Sequence, residues 1–276
     1  MSEEVQTQTP SMDATLLEVR DLGVVSATGA PLVRDVSFSI AAGERLSLIG
    51  ESGSGKSLTS FAVTGLLPAG LVASGSAVLG GVEVVGAKER DLVALRGRVA
   101  SVVFQEPLTA LDPLMRLGKQ VAEPLRRHLG LRGDALKRAV LDALAEVRLP
   151  EPERIARAYP HEISGGQRQR VAIAAALACA PQLLIADEPT TALDVTVQAE
   201  ILSLIDALVA ERGMALLFVS HDLAVVSRMT ERALVLRAGR VVESGTIENL
   251  LAAPSDPYTV ELVASARELD RALEVS

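Results

Sequence analysis

Gly50-Glu51-Ser52-Gly53-Ser54-Gly55-Lys56-Ser57 fits the phosphate-loop pattern G-x-x-x-x-G-K-[ST], and it directly follows the apolar, strand-like run 45–49. That context constrains the fold more than the pattern does. A strand feeding a glycine turn that opens a helix brings bare backbone N–H groups and a positive helix end to one anion, so strand, turn and helix must follow in series. In that arrangement Gly50, Glu51, Ser52, Gly53, Ser54 and Gly55 wrap a polyphosphate, Lys56 bridges its β- and γ-phosphates and the Ser57 hydroxyl ligates Mg²⁺. Thr59, just inside the following helix, joins the candidates for binding the same ligand. At an average glycine usage of about 7% the bare pattern arises by chance in roughly one chain in a hundred of this length, so a ligand-free glycine turn is a weak competitor.

Short β-rich runs alternate with helical patterns over most of the chain, which predicts an α/β sheet. Runs 16–22, 36–40, 45–49, 99–104, 183–186, 215–219 and 233–236 read as strands. Runs 183–186 and 215–219 are apolar on both faces, as central parallel strands are. Arg237-Ala238-Gly239-Arg240 reads as a late hairpin turn into a strand at 241–243. Between 112 and 160 the pattern changes: Leu136, Val140, Ala143, Leu144 and Val147 recur at helical spacing, and Pro113, Pro124, Pro150, Pro152 and Pro160 punctuate the segment. The expected organisation is a core at 13–111 and 161–252, a helical subdomain inserted at 112–160, and a short tail at 253–276 ending in a polar helix at 260–274. No internal repeat or low-complexity linker interrupts it.

The run 183–186 ends in Asp187-Glu188. Ligands of parallel sheets bind at the carboxyl ends of strands, which predicts that both carboxylates emerge beside the phosphate loop. There Asp187 holds the Mg²⁺ shell through water and Glu188 polarises an attacking water. Ser164-Gly165-Gly166-Gln167 precedes a helical run at 168–177; Ser164 is a good N-cap, and two glycines leave bare N–H groups at a positive helix end. This is a second anion-binding element in the same chain.

Net charge is −8, and phosphate-backbone binding wants a basic face, so a nucleic-acid partner is not expected. The single Cys179 excludes an internal disulfide framework and a Cys-rich metal site; inside the alanine-rich run 171–180 it reads as a small buried hydrophobe. Residues 1–14 are polar and acidic without the apolar stretch of a secretory signal, and the longest apolar run, 171–180, stops at Pro181, short of the roughly 18 residues of a membrane span. A cytosolic protein lying against membrane proteins is the expectation.

Taken together these segments resemble the ATP-binding cassette (ABC) family over nearly the whole chain. Residues 50–57 are similar to its Walker A motif, 183–188 to Walker B, and Ile163-Ser164-Gly165-Gly166-Gln167 to the signature motif, with Ile in place of the more usual Leu. Gln105 resembles the Q-loop glutamine, Ala192-Leu193-Asp194 the D-loop and His221 the switch histidine. The resemblance implies a P-loop NTPase fold with a mixed sheet core, an antiparallel β region near the N-terminus and the inserted helical subdomain. It implies ATP and Mg²⁺ as ligands, with Ser57, Gln105 and Asp187 around the metal, Glu188 as general base, and Lys56, Gln105 and His221 contacting the phosphates or the attacking water. It further implies a head-to-tail dimer in which residues 164–167 of one subunit close over ATP held by residues 50–57 of the other.

Within the family, Gln105-Glu106-Pro107-Leu108-Thr109-Ala110-Leu111-Asp112-Pro113, Tyr159-Pro160-His161-Glu162, Gln167-Arg168-Gln169-Arg170 and Pro257-Tyr258-Thr259 are similar to the peptide, nickel and opine importer subunits. This implies a di- or oligopeptide importer ATPase, with a nickel or other small-solute importer as the alternative inside the subfamily and a soluble non-transport ABC ATPase outside it. The implied partners are a paralogous ATPase subunit, two transmembrane permease subunits that seat a coupling helix near Gln105 and the segment after Leu108, and, indirectly, an extracytoplasmic solute-binding protein. The expected location is the cytoplasmic face of the cell membrane. Two departures stand out. No aromatic residue lies between Val19 and Val36, where the family stacks adenine; Ser26 or Val25 occupies that spot, leaving aliphatic contact such as Val25 or Leu32, or a residue of another chain, to hold the base. No cysteine follows Cys179, so a cluster-bearing tail is not expected.

Overall fold

Alternating apolar and polar residues near the N-terminus build one sheet, and unbroken apolar runs build the other. The computed structural model describes residues 15–104, 111–191 and 193–274. β1 (Thr15–Ser26) pairs antiparallel with β2 (Pro31–Ala41), where Val36, Phe38 and Ile40 point inward while Ser37 and Ser39 face out. β3 (Arg45–Ile49) leaves that layer for the second sheet, and α1 (Lys56–Ala62) follows it. β4 (Leu71–Leu79) then returns to pair with the free edge of β1 and carries the short β5 (Val82–Glu83), completing the order β2-β1-β4-β5. α2 (Glu89–Leu95) leads to β6 (Ala100–Val103).

The helical segment is α3 (Leu117–Leu129), α4 (Gly133–Glu146) and α5 (Pro152–Arg157). Val140, Ala143, Leu144 and Val147 of the helical pattern are buried there against Leu117, Val121, Leu125 and Ile155, and Leu136 is half-buried. Pro124 does not punctuate this segment: it lies inside α3. Its missing N–H forfeits the bond to the Gln120 carbonyl, and the burial of Leu117, Val121 and Leu125 keeps the helix whole across it. After α6 (Gly165–Leu177), the chain enters β7 (Leu183–Asp187), α7 (Val195–Arg212), β8 (Ala215–Ser220), α8 (Leu223–Met229), β9 (Arg232–Arg237) and β10 (Arg240–Thr246). α9 (Ile247–Ala252) and α10 (Pro257–Glu274) end the described chain. The last helix starts earlier than the sequence suggests and buries Tyr258, Thr259 and Val263, so it is anchored at its start rather than polar throughout.

The second sheet has the order β10-β9-β3-β8-β7-β6, with β9, β3, β8, β7 and β6 parallel and β10 antiparallel at one edge. Its strands feed two cores by alternation. Leu46 and Leu48 of β3, Leu217 and Val219 of β8, and Leu183 and Ile185 of β7 pack with Leu17, Leu22 and Ile40 between the sheets. Ile49, Phe218, Leu184 and Ala186 face the helices. Burial on both faces is why these strands carry no alternating pattern. Cys179, read from sequence as buried, is half-buried.

In the first sheet, the β1–β4 pairing slips between Arg20 and Gly23, and Gly75 sits opposite at φ +83°. A Cβ on Gly75 would lie 2.3 Å from the Asp21 carbonyl oxygen. Gly75→Ala is therefore expected to destabilise the protein by about 1–3 kcal/mol, through positive-φ strain and overpacking against backbone. Urea unfolding checks this, and an unchanged midpoint would contradict the strained register.

Candidate functional site

Parallel pairing brings three chain reversals to one sheet edge. Ile49 pairs with Ser220 and Val219 with Asp187, so the segments that begin at Gly50, His221 and Glu188 leave the carboxyl ends of adjacent strands side by side. Lys56, Ser57, Asp187, Glu188 and His221, separated widely in sequence, meet here.

The 50–57 turn is shaped by its glycines at two points. Gly50 has φ +149°, and a Cβ there would lie 2.2 Å from the Leu236 carbonyl oxygen; Gly55, the N-cap of α1, has φ +102°. The Lys56 ammonium, 4% exposed, folds back and donates to the carbonyl oxygens of Gly50 at 2.7 Å and Glu51 at 2.9 Å, and stands 4.0 Å from Glu188. Burial pushes Lys56 below the usual lysine range, and the nearby carboxylates of Glu188, Asp187 and Glu51 oppose that shift. Beside it opens a cavity of about 190 Å³ lined by Leu32, Ser52, Gly53, Gly55, Lys56, Ser57, Leu58 and Glu188.

The Ser57 hydroxyl donates to Asp187 Oδ1 at 2.9 Å. Burial pushes the Asp187 carboxyl up to about 6; the Ser57 hydrogen bond and Lys56 pull it down, while Glu188 pushes it up. Glu188 follows with φ +45°, a conformation rare for a residue with a Cβ, and its N–H donates to the Val219 carbonyl at 2.9 Å. Its carboxylate accepts from Thr191 Oγ1 at 3.1 Å and lies 3.2 Å from His221 Nδ1. Ser57 and Asp187 offer a hydroxyl and a carboxylate in mutual contact, the hard oxygen donors that suit Mg²⁺.

The second predicted element stands apart from this cavity. Ser164 caps α6, its Oγ accepting the Gln167 N–H at 3.3 Å while the Gln167 side chain accepts the Ser164 N–H at 3.1 Å. Gly166 lets α6 approach α7, since a Cβ there would lie 2.7 Å from Val197 Cγ1. None of residues 164–167 lines the 190 Å³ cavity. Thr59 does not line it either: it is fully buried and its hydroxyl donates to the Gly55 carbonyl at 2.9 Å. Gln105 and the D-loop's Ala192 lie outside the described residues. Gln169, which spacing alone did not mark, is fully buried in α6, and its Nε2 donates to the Pro189 carbonyl at 2.6 Å, tying that helix to the turn after Glu188.

The sequence profile of the ABC transporter family matches residues 33–191, more than half of the chain. The chain belongs to that family. Among curated relatives it is 45% identical to the oligopeptide transport ATP-binding protein OppD of Salmonella typhimurium over 273 residues, covering 97% of this chain and 81% of that protein. OppD of Bacillus subtilis is 43% identical over 260 residues, covering 92% and 73%. Among solved structures, the dimeric, post-hydrolysis ATP-binding cassette MJ0796 bound to ADP and Pi superposes with a TM-score of 0.73 at 28% identity, covering 84% of this chain and 98% of that one. cbiO1 of Clostridium perfringens, part of the cbiONQ transporter complex, gives 0.73 at 26% identity, covering 87% and 92%. The expected α/β cassette fold, with its mixed sheet and antiparallel β region, is the one this ABC family member adopts.

The Asp187 shift has a definite sign. Its folded value, about 6, lies above the ordinary 3.8, so the charged form costs stability above about pH 6 and that cost disappears as pH falls toward 4. Asp187→Asn is therefore expected to stabilise the metal-free protein by about 1–3 kcal/mol near pH 7.5 and to make little difference near pH 4. Denaturant unfolding at both pH values tests it; an equal effect at the two would refute the assignment.

Proposed function

We propose that this ABC protein is the ATP-hydrolysing subunit of an importer, that Mg²⁺ accompanies its ATP, and that the imported solutes are di- or oligopeptides. What carries the reading is the convergence of Lys56, Ser57, Asp187, Glu188 and His221 on one sheet edge, in a chain 45% identical to an oligopeptide transport ATP-binding protein. Nickel or another small solute is the narrower alternative within the same subfamily reading.

In this reading the 50–57 turn and the start of α1 receive the β- and γ-phosphates. Lys56 has three N–H donors, of which Gly50 and Glu51 occupy two, so one remains for a phosphate oxygen. Ser57 and Asp187 would hold the Mg²⁺, which would neutralise charge on those phosphates. Glu188 takes a proton from the attacking water, and His221, hydrogen-bonded to it, holds the γ-phosphate. Gln105 completes the set as sensor of the metal or the water. Because residues 164–167 stand away from the phosphate cavity, the capped end of α6 serves the ATP of a second, head-to-tail cassette, a paralogue in this reading. The 13–111 and 161–252 core thus carries the nucleotide and the 112–160 insertion meets the permeases, with the 253–276 tail following them in sequence.

Two transmembrane permease subunits and, through them, a solute-binding protein complete the proposed assembly. Leu114, 88% exposed, and the partly exposed Met115 form an apolar point just past the Q-loop segment, fitting a surface made to be covered. Among the described residues no helix is long and apolar enough to cross a membrane, which suits a peripheral subunit held at the cytoplasmic face by those permeases.

Glu188→Gln is expected to bind ATP and Mg²⁺ normally, to lose on the order of 10²–10⁴ in hydrolysis rate, and to run as a closed dimer on size exclusion with ATP. Wild-type hydrolysis by this variant would refute Glu188 as the base. Among the described residues Leu32 lines the cavity and no aromatic side chain does. The ATP-over-GTP preference should therefore stay below about a hundredfold, each tenfold requiring about 1.4 kcal/mol of selective contact; competition binding measures it.

A further inference from the structure

The outer side of the 50–57 turn is held by residues far away in sequence. The Gly239 N–H, in the β9–β10 hairpin, donates to the Ser54 carbonyl at 2.9 Å. On the other side the Glu51 N–H donates to the phenolic oxygen of Tyr258, at 2.9 Å, from the first turn of α10. Tyr258 is 3% exposed, and the Arg237 guanidinium, at the base of the same hairpin, lies 4.8 Å from its ring centroid. Burial pushes its phenol up, so the hydroxyl keeps its proton near neutral pH.

The turn that presents Tyr258 is itself pinned. Glu243 of β10 accepts the Ser255 N–H at 2.8 Å, the Ser255 hydroxyl at 2.7 Å and the Asp256 N–H at 3.0 Å, and Asp256 Oδ1 accepts the Tyr258 N–H at 2.8 Å. A chain of hydrogen bonds therefore runs from the β10 edge through the tail into the phosphate loop. None of these residues lines the phosphate cavity.

We propose that Tyr258 is a positioning residue for nucleotide binding: by fixing the Glu51 N–H from behind, it holds the 50–57 turn in the shape that directs its remaining N–H groups at the phosphates. This rests on the ATP-binding reading given above. It makes the tail a brace for the phosphate loop rather than an appendage, with Glu243 acting through Tyr258.

The test uses the full-length chain, a non-hydrolysable ATP analogue with Mg²⁺, and calorimetric titration, alongside steady-state ATPase kinetics and nucleotide-free thermal melting. Tyr258→Phe removes the hydroxyl and keeps the ring. It should raise Kd and KM about three- to tenfold, as loss of one hydrogen bond does, with kcat held within about twofold and the nucleotide-free melt unmoved. Glu243→Gln should shift Kd in the same direction, and the double variant should bind no more weakly than Tyr258→Phe alone. An unchanged Kd in Tyr258→Phe, a Kd change matched by a lowered nucleotide-free melt, or additive effects in the double variant would each overturn the proposal. If the wild-type chain itself fails to bind the analogue, the ATP-binding reading falls instead, and the two failures are distinguishable.

Discussion

The register of three neighbouring parallel strands governs this molecule. With Ile49 against Ser220 and Val219 against Asp187, the ends of β3, β8 and β7 fall in one row, and the segments that follow are delivered to a common edge. A slip of one residue in any of them would exchange the two buried faces of that strand, putting Leu217 and Val219 where Leu216 and Phe218 now pack. Since both faces are filled, the register is enforced by two cores at once, and the site inherits that rigidity.

The same edge concentrates features that do not favour stability. An ammonium is buried beside the phosphate loop, a carboxyl is pushed well above its ordinary range, and Glu188 holds a positive φ. Each is supported by fixed neighbours: two carbonyls for Lys56, a hydroxyl for Asp187, and a backbone bond to Val219 for Glu188. Positive φ also occurs at Asp21, Asp35, Arg148, Glu151, Ala180 and Ala238, but at this edge it coincides with a buried ammonium and a desolvated carboxyl, a combination expected of a chemical site.

Much of this was legible in the residues because the signals are local. The glycine turn after an apolar strand, strands apolar on both faces, the Ser164 cap and the helical spacing around Val140 and Leu144 each need only a few neighbouring positions to be read. β4 was not legible: Ser74, Gly75 and Ser76 in its middle blank out any alternation, and its pairing with β1 supplies what its composition lacks. Pro124 misled because packing, which spacing does not reveal, overrides the lost backbone bond. Thr59 lies just inside the helix that follows the glycine turn, yet helical geometry turns its hydroxyl back to Gly55. The contacts of Gln169 with Pro189 and of Tyr258 with Glu51 join distant segments, and no local pattern can foretell such partners.

The cap on α6 also bears on reversibility. A serine hydroxyl can accept one hydrogen bond and give its own proton to another acceptor at the same moment, and among the described residues Ser164 Oγ is engaged as acceptor of the Gln167 N–H. An incoming anionic oxygen can thus be greeted without unwinding the helix, and its departure leaves no ragged end to heal. In the proposed head-to-tail dimer, repeated docking and release at this tip would leave the secondary structure untouched.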